Sequence, residues 1–72
     1  MLSQSDYEDL KPYIPIIDMY IQHSIYVGCD IHSFKAIYDR IAKENLNAGC
    51  GACISNALRR ANDLIKEYEN NI

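Results

Sequence analysis

The stretch Cys53-Ile-Ser-Asn-Ala-Leu-Arg-Arg-Ala-Asn-Asp-Leu-Ile-Lys-Glu-Tyr68 decides the fold. Cys53, Ile54, Ala57, Leu58, Ala61, Leu64, Ile65 and Tyr68 recur at the i, i+3, i+4, i+7 spacing of a single helical face. Ser55, Asn56, Arg59, Arg60, Asn62, Asp63, Lys66 and Glu67 fill the opposite face. The spacing predicts an amphipathic helix over roughly residues 48–69, fraying into the polar Glu69-Asn70-Asn71.

Immediately upstream, Phe34, Ile37, Tyr38 and Ile41 repeat the same period. Asp30 or Ser33 can cap this second helix, and Asp39–Lys43 and Arg40–Glu44 stand at i,i+4. Asn45 suits the left-handed position after the last turn, with Leu46 as the apolar residue that follows it. The connection to Ala48 is short, so residues 33–72 are expected to form an antiparallel helical hairpin.

Residues 1–32 are harder to read. Ser5 and Glu8 fit a capping box, and Pro12 and Pro15 are expected to interrupt the helix that follows, since each removes a backbone donor. Helix should resume after Pro15, turn Ile17, Tyr20, Ile21 and Ser24 inward, and stop at Gly28. A strand over Ile25-Tyr26-Val27 would lack a partner. The expectation is an all-α fold: one small domain over residues 1–72, of two or three helices, with the hairpin at its C-terminal end.

Bulk properties narrow the function. Seventy-two residues, 49% of them hydrophobic, leave room for a single core. A chain of this size buries only about 60% of its unfolded surface, so a partner or a metal adds much to its stability. Eleven Ile, six Tyr, two Pro and three Gly exclude collagen-like and low-complexity classes. The net charge of −3 and a pI near 5.1 argue against nucleic acid as a partner. Charge is uneven: residues 1–32 sum to −4 and residues 33–72 to +1. The opening MLSQSDYEDLK has neither the basic start nor the apolar run of a signal peptide. The most apolar stretch, Tyr13 to Val27, is broken by Asp18, Gln22, His23 and Ser24, so no membrane span is expected. Three cysteines do not make a secreted disulfide scaffold, which points to synthesis in a reducing cytoplasm.

Asn47-Ala-Gly-Cys-Gly-Ala-Cys53 is the segment that periodicity does not explain. Cys29-x2-His32 and Cys50-x2-Cys53 resemble the paired knuckles of a structural zinc site. A helix between them would hold the pairs ~20 Å apart at its ~1.5 Å rise per residue, beyond reach of one ion and of a disulfide. Cys50 and Cys53 therefore stay candidate zinc ligands mainly across an oligomer. A redox reading follows from a thiol at a helix start, but the β/α framework that carries thioredoxin-like sites is absent. A cysteine protease using His23 or His32 would lack a third orienting group. The reading preferred at this point is packing: Gly49, Gly51 and Ala52 permit a tight corner, and Cys50 and Cys53 fill it against Leu46 and Ile41.

His23 and His32 read as solvated histidines, and Arg59-Arg60 as a solvated face balanced by Asp63 and Glu67. The tyrosines point elsewhere. Tyr7, Tyr13, Tyr20 and Tyr26 crowd a segment whose small core could hardly bury them all with satisfied hydroxyls, which marks them as a candidate partner-binding surface.

The run Phe34-Lys-Ala-Ile-Tyr-Asp-Arg-Ile-Ala-Lys-Glu-Asn-Leu-Asn-Ala-Gly-Cys-Gly-Ala-Cys-Ile54, followed by an amphipathic helix, resembles small helical proteins of tailed phages of Bacteroidetes, the crAss-like group among them. There an IY-x-x-I helix, a Leu-Asn turn and a Cys-Gly-x-Cys-Ile start precede a final helix. The resemblance covers about residues 34–68 and transfers no catalytic residue. It implies a virion component, made in the host cytoplasm and held by a larger capsid, portal or tail protein or by its own copies. With no catalytic constellation, the expected function is non-enzymatic: structural or interaction protein. The alternatives are a zinc- or redox-active regulator built on Cys50 and Cys53, and an early phage protein that binds a host factor.

Overall fold

Side-chain caps at Ser3, Asp30 and Cys50 set where three of the helices begin. In the computed structural model, which describes residues 2–25 and 30–71, Ser3 Oγ accepts the Asp6 N–H at 3.1 Å and opens α1, Gln4–Leu10. The cap thus lies two residues before the expected Ser5, and Glu8 instead faces Lys11 at 3.8 Å. A 3-10 turn, Lys11–Tyr13, leads directly into α2, Ile14–His23. Both prolines sit in the first turn of their segments, where a missing N–H has no partner to lose. The α-helix gives way at Lys11, as expected, but the junction residues Leu10, Lys11, Tyr13 and Ile14 keep right-handed helical backbone and α2 resumes at Ile14, before Pro15 rather than after it. α2 stops earlier than expected, with Ser24 left-handed at φ 57°. Gly28 and the rest of the suggested strand beyond Ile25 lie outside the described residues.

Asp30 caps α3, Ile31–Ala42, by accepting the N–H groups of His32 and Ser33 at 3.2 and 3.3 Å and the Ser33 hydroxyl at 2.8 Å. Between Asp30 and Ser33, the aspartate takes the cap and the serine donates to it. Lys43, not Asn45, adopts the left-handed turn after α3, at φ 56°. The reason lies in Asp39, which accepts the Leu46 N–H at 2.8 Å and pulls the chain back while Leu46 enters the core. Asp39 pairs with Lys35 rather than Lys43, and Asn45 accepts from the same ammonium at 2.8 Å. Arg40 reaches Asp6 and Asp9 of α1 at 3.1 and 2.6 Å rather than Glu44. Glu44 instead meets Arg60 at 3.3 Å and the Tyr38 hydroxyl at 3.4 Å.

α4, Gly51–Asn70, buries Ala57, Leu58, Ala61 and Ile65, on the face read from the sequence. Leu2, Leu10, Ile17, Phe34, Tyr38 and Leu46 complete the core. The closest backbone approaches are α2 to α4 and then α1 to α3. α3 and α4 follow one another through the turn, yet neither is the other's nearest helix. Ala57 and Ala61 present little side chain on a buried face, which favours the close approach of α2. Phe34, fully buried, lies edge-on to Tyr13 at 5.5 Å and stacked with Tyr38 at 5.8 Å between ring centroids. The radius of gyration, 11.3 Å, equals the about 11 Å expected of one compact core of this length. Among the described residues there is no strand, and no helix is long and apolar enough to cross a membrane.

The Asp39 arrangement has a measurable sign. The Lys35 ammonium and the Leu46 N–H hold its carboxyl below the usual carboxylate value. A group depressed on folding adds stability above its unfolded pKa and loses it as pH falls through the lower folded value. Asp39→Ala should lower the urea midpoint at neutral pH, and the gap from the native chain should narrow below about pH 4. Equal gaps at neutral and acid pH would show that Asp39 acts through packing alone.

Candidate functional site

The turn that enters α4 is built by Asn47. Its side-chain oxygen accepts the Gly49 N–H at 3.0 Å and its carbonyl accepts the Cys50 N–H at 3.1 Å, an Asx-type turn followed by a helix start. Cys50 then occupies the cap position of α4, and its sulfur accepts the Cys53 N–H at 3.2 Å. The packing reading of the motif holds only for one of the two cysteines. Both are half-buried, but Cys53 packs beside the core, whereas Cys50 serves as the acceptor at the helix start. A Cβ built on Gly51 would meet nothing within 4 Å, so the residue between them leaves the approach from solvent open.

The two thiols are unlike. The Cys53 thiol and the N–H groups of Cys53 and Ala52 favour the Cys50 thiolate, and its pKa falls below the ordinary value. Cys53 moves the other way, raised by its bond to Cys50 and by partial burial. Both are free thiols. Among the described residues no three His, Cys, Asp or Glu side chains gather as metal ligands. Cys29, the further partner considered for zinc, lies outside the described residues, and His32 is exposed at the start of α3.

Beside Cys53 lies a half-open concavity of about 220 Å³, bordered by Tyr38, Glu44, Leu46, Asn47 and Asn56. Glu44, Asn47 and Asn56 were not anticipated as neighbours of the cysteines. The Asn-x-Gly spacing of the turn was the only signal that could have marked Asn47.

Three of the four candidate interface tyrosines make contacts within the fold, two with rings and one with a guanidinium. Tyr7 stacks on Tyr68 at 4.5 Å and its hydroxyl donates to Glu69 at 3.0 Å, which raises the phenol's pKa. Tyr13 meets Phe34, and Tyr20 lies under the Arg59 guanidinium at 5.9 Å. All three remain half-buried. Tyr26 lies outside the described residues. The apolar side chains that stand out are instead Met19, Ile21 and Ile25, with 38%, 39% and 51% of their surface exposed. Met19 and Ile21 lie on α2 and Ile25 just beyond it, and the same helix carries the half-exposed Ile14 and Ile16.

Comparison with protein-family models, with curated proteins and with solved structures finds no match to this chain.

Proposed function

We propose that this chain is a non-enzymatic structural or protein–protein interaction component of a tailed-phage virion, held by a larger capsid, portal or tail protein. The observation that supports an interaction role is the apolar surplus of α2. Ile17 alone of this helix is buried, while Met19 and Ile21, and Ile25 just beyond the helix, keep large exposed surfaces. A helix with apolar residues beyond the face its own core uses suits burial against a neighbour. The phage assignment rests on the resemblance over residues 34–68.

Proteomics of purified particles tests the reading. The expected result is recovery of the chain in a fixed ratio to a capsid, portal or tail protein. Absence from particles, with co-purification of a host protein, would replace the virion role by host-directed binding. The pairing of Cys50 with Cys53 favours a second reading, a small thiol-based regulator, because the Cys50 sulfur caps the helix on the Cys53 N–H and brings two free thiols to one open helix start.

A further inference from the structure

We infer that Cys50 and Cys53 form a redox-active dithiol that exchanges with low-molecular-weight disulfides and closes to a reversible intrachain disulfide, with Cys50 as the attacking thiol and Cys53 as the resolving one. The inference is independent of a virion role, and particle composition does not bear on it.

Geometry carries it. Cys50 is the extended cap of α4 and Cys53 lies one turn on. Residues so spaced within a helix have Cβ atoms about 5–6 Å apart, and a disulfide needs about 3.5–4.5 Å, so closure draws the first turn in by about 1–2 Å. The Cys50 sulfur is already folded back over that turn, 3.2 Å from the Cys53 nitrogen. A neutral thiol is a weak acceptor at a helix start, where Ser, Thr, Asp or Asn cap better. A thiolate there is favoured by the free N–H groups and the helix dipole. Both cysteines are half-buried, but only Cys53 packs on the core, while Cys50 stands at the cap beside the open surface at Gly51. The helix start favours the thiolate at Cys50, which makes it the attacking thiol.

The exchange balances in two steps. The Cys50 thiolate, its proton released to solvent, bonds to one sulfur of the incoming disulfide. That S–S bond breaks, and the leaving thiolate takes a proton from solvent. Cys53 then loses its proton and attacks the Cys50 sulfur of the mixed disulfide, releasing the second thiol. The dithiol is oxidised by two electrons and one small disulfide is reduced to two thiols. The ring so closed spans only three peptide units, so the bridge gains little from chain entropy and stays open to reduction.

The test treats the reduced full chain, as a Cys29→Ser variant, with glutathione disulfide, quenches with acid, alkylates and maps the products by mass. The expected product carries one Cys50–Cys53 disulfide, neither alkylated nor glutathionylated, and thiol reductant reverses it. With Cys53→Ser added, a single glutathione should accumulate on Cys50. With Cys50→Ser added, the remaining thiol should react about tenfold more slowly. Far-UV circular dichroism on each variant verifies the helical fold. Separate glutathione adducts on both cysteines, equal rates for the two variants, or a purified chain whose two sulfurs hold zinc would each overturn the inference.

Discussion

A chain that begins at Asp30 should show no cooperative unfolding transition in urea, although the full chain does. The fragment keeps α3, the turn and α4, the part whose periodicity is clearest. It loses α2, the nearest neighbour of α4. Leu58 and Ile65, each 2% exposed, would lose cover together with Ala57 and Ala61, and Leu2, Leu10 and Ile17 would be gone from the core. Each large aliphatic side chain uncovered forfeits about 1.5–3 kcal/mol. A domain of this length has only about 4–11 kcal/mol in total. Three or four such losses exhaust it. α4 can keep partial helix in isolation, being 20 residues long, so the diagnostic signal is the shape of the urea curve rather than helix content. A sigmoidal transition in the fragment would show that residues 30–72 fold as an autonomous hairpin.

Phe34→Ala should be the most damaging single substitution. Phe34 has no exposed surface and joins Tyr13 of the 3-10 turn to Tyr38 of its own helix. Removing a buried Phe costs about 3–5 kcal/mol, because the transfer loss adds to the cavity left behind. Against about 4–11 kcal/mol this leaves the chain near its midpoint of stability at room temperature or unfolded. Thermal circular dichroism should show the transition moved to far lower temperature or absent. Phe34→Leu, which keeps most of the volume, should retain a transition between the two. If Phe34→Ala melts within a few degrees of the native chain, the ring cluster is not the centre of the core.

What was legible in the sequence, and what was not, follows one division. The inward face of α4 and the Phe34–Tyr38 stripe were readable because a helical period of 3.6 appears within one segment. Asp30 was readable as a cap for the same local reason. Some of the misreadings involve partners distant along the chain, and others a choice between two nearby candidates. Arg40 has Glu44 four residues away but reaches Asp6 and Asp9, 34 and 31 residues earlier, because α1 lies against α3. Asn45 has the better intrinsic left-handed preference, yet Lys43 takes the turn because Asp39 captures the Leu46 N–H. The break after Leu10 was readable from Pro12, but resumption ahead of Pro15 was not, because a proline's compatibility with a first turn depends on where that turn begins. At the candidate site, the Cys-x-x-Cys spacing was visible, but Cys50 as a cap was not, since sulfur is rarely the residue of choice there. The ring contacts of Tyr7 with Tyr68 and of Tyr13 with Phe34 were not legible either, because those partners lie 61 and 21 residues further along the chain.

The left-handed backbone at Lys43 gives the connection between α3 and α4 a mechanical character. A non-glycine residue in that region is disfavoured by about 1–2 kcal/mol, held only by what surrounds it. Here the restraint is the Leu46 side chain in the core together with the Asp39 bond to its amide. When Leu46 leaves its seat, the Asp39 bond parts and the Lys43 strain is released in the same motion. The Lys43 backbone, the Asp39 bond and the seat of Leu46 are thus one interdependent arrangement, in which a change at any of the three bears on the other two. It lies seven residues before Cys50, so this arrangement and the thiol pair share one short span of chain.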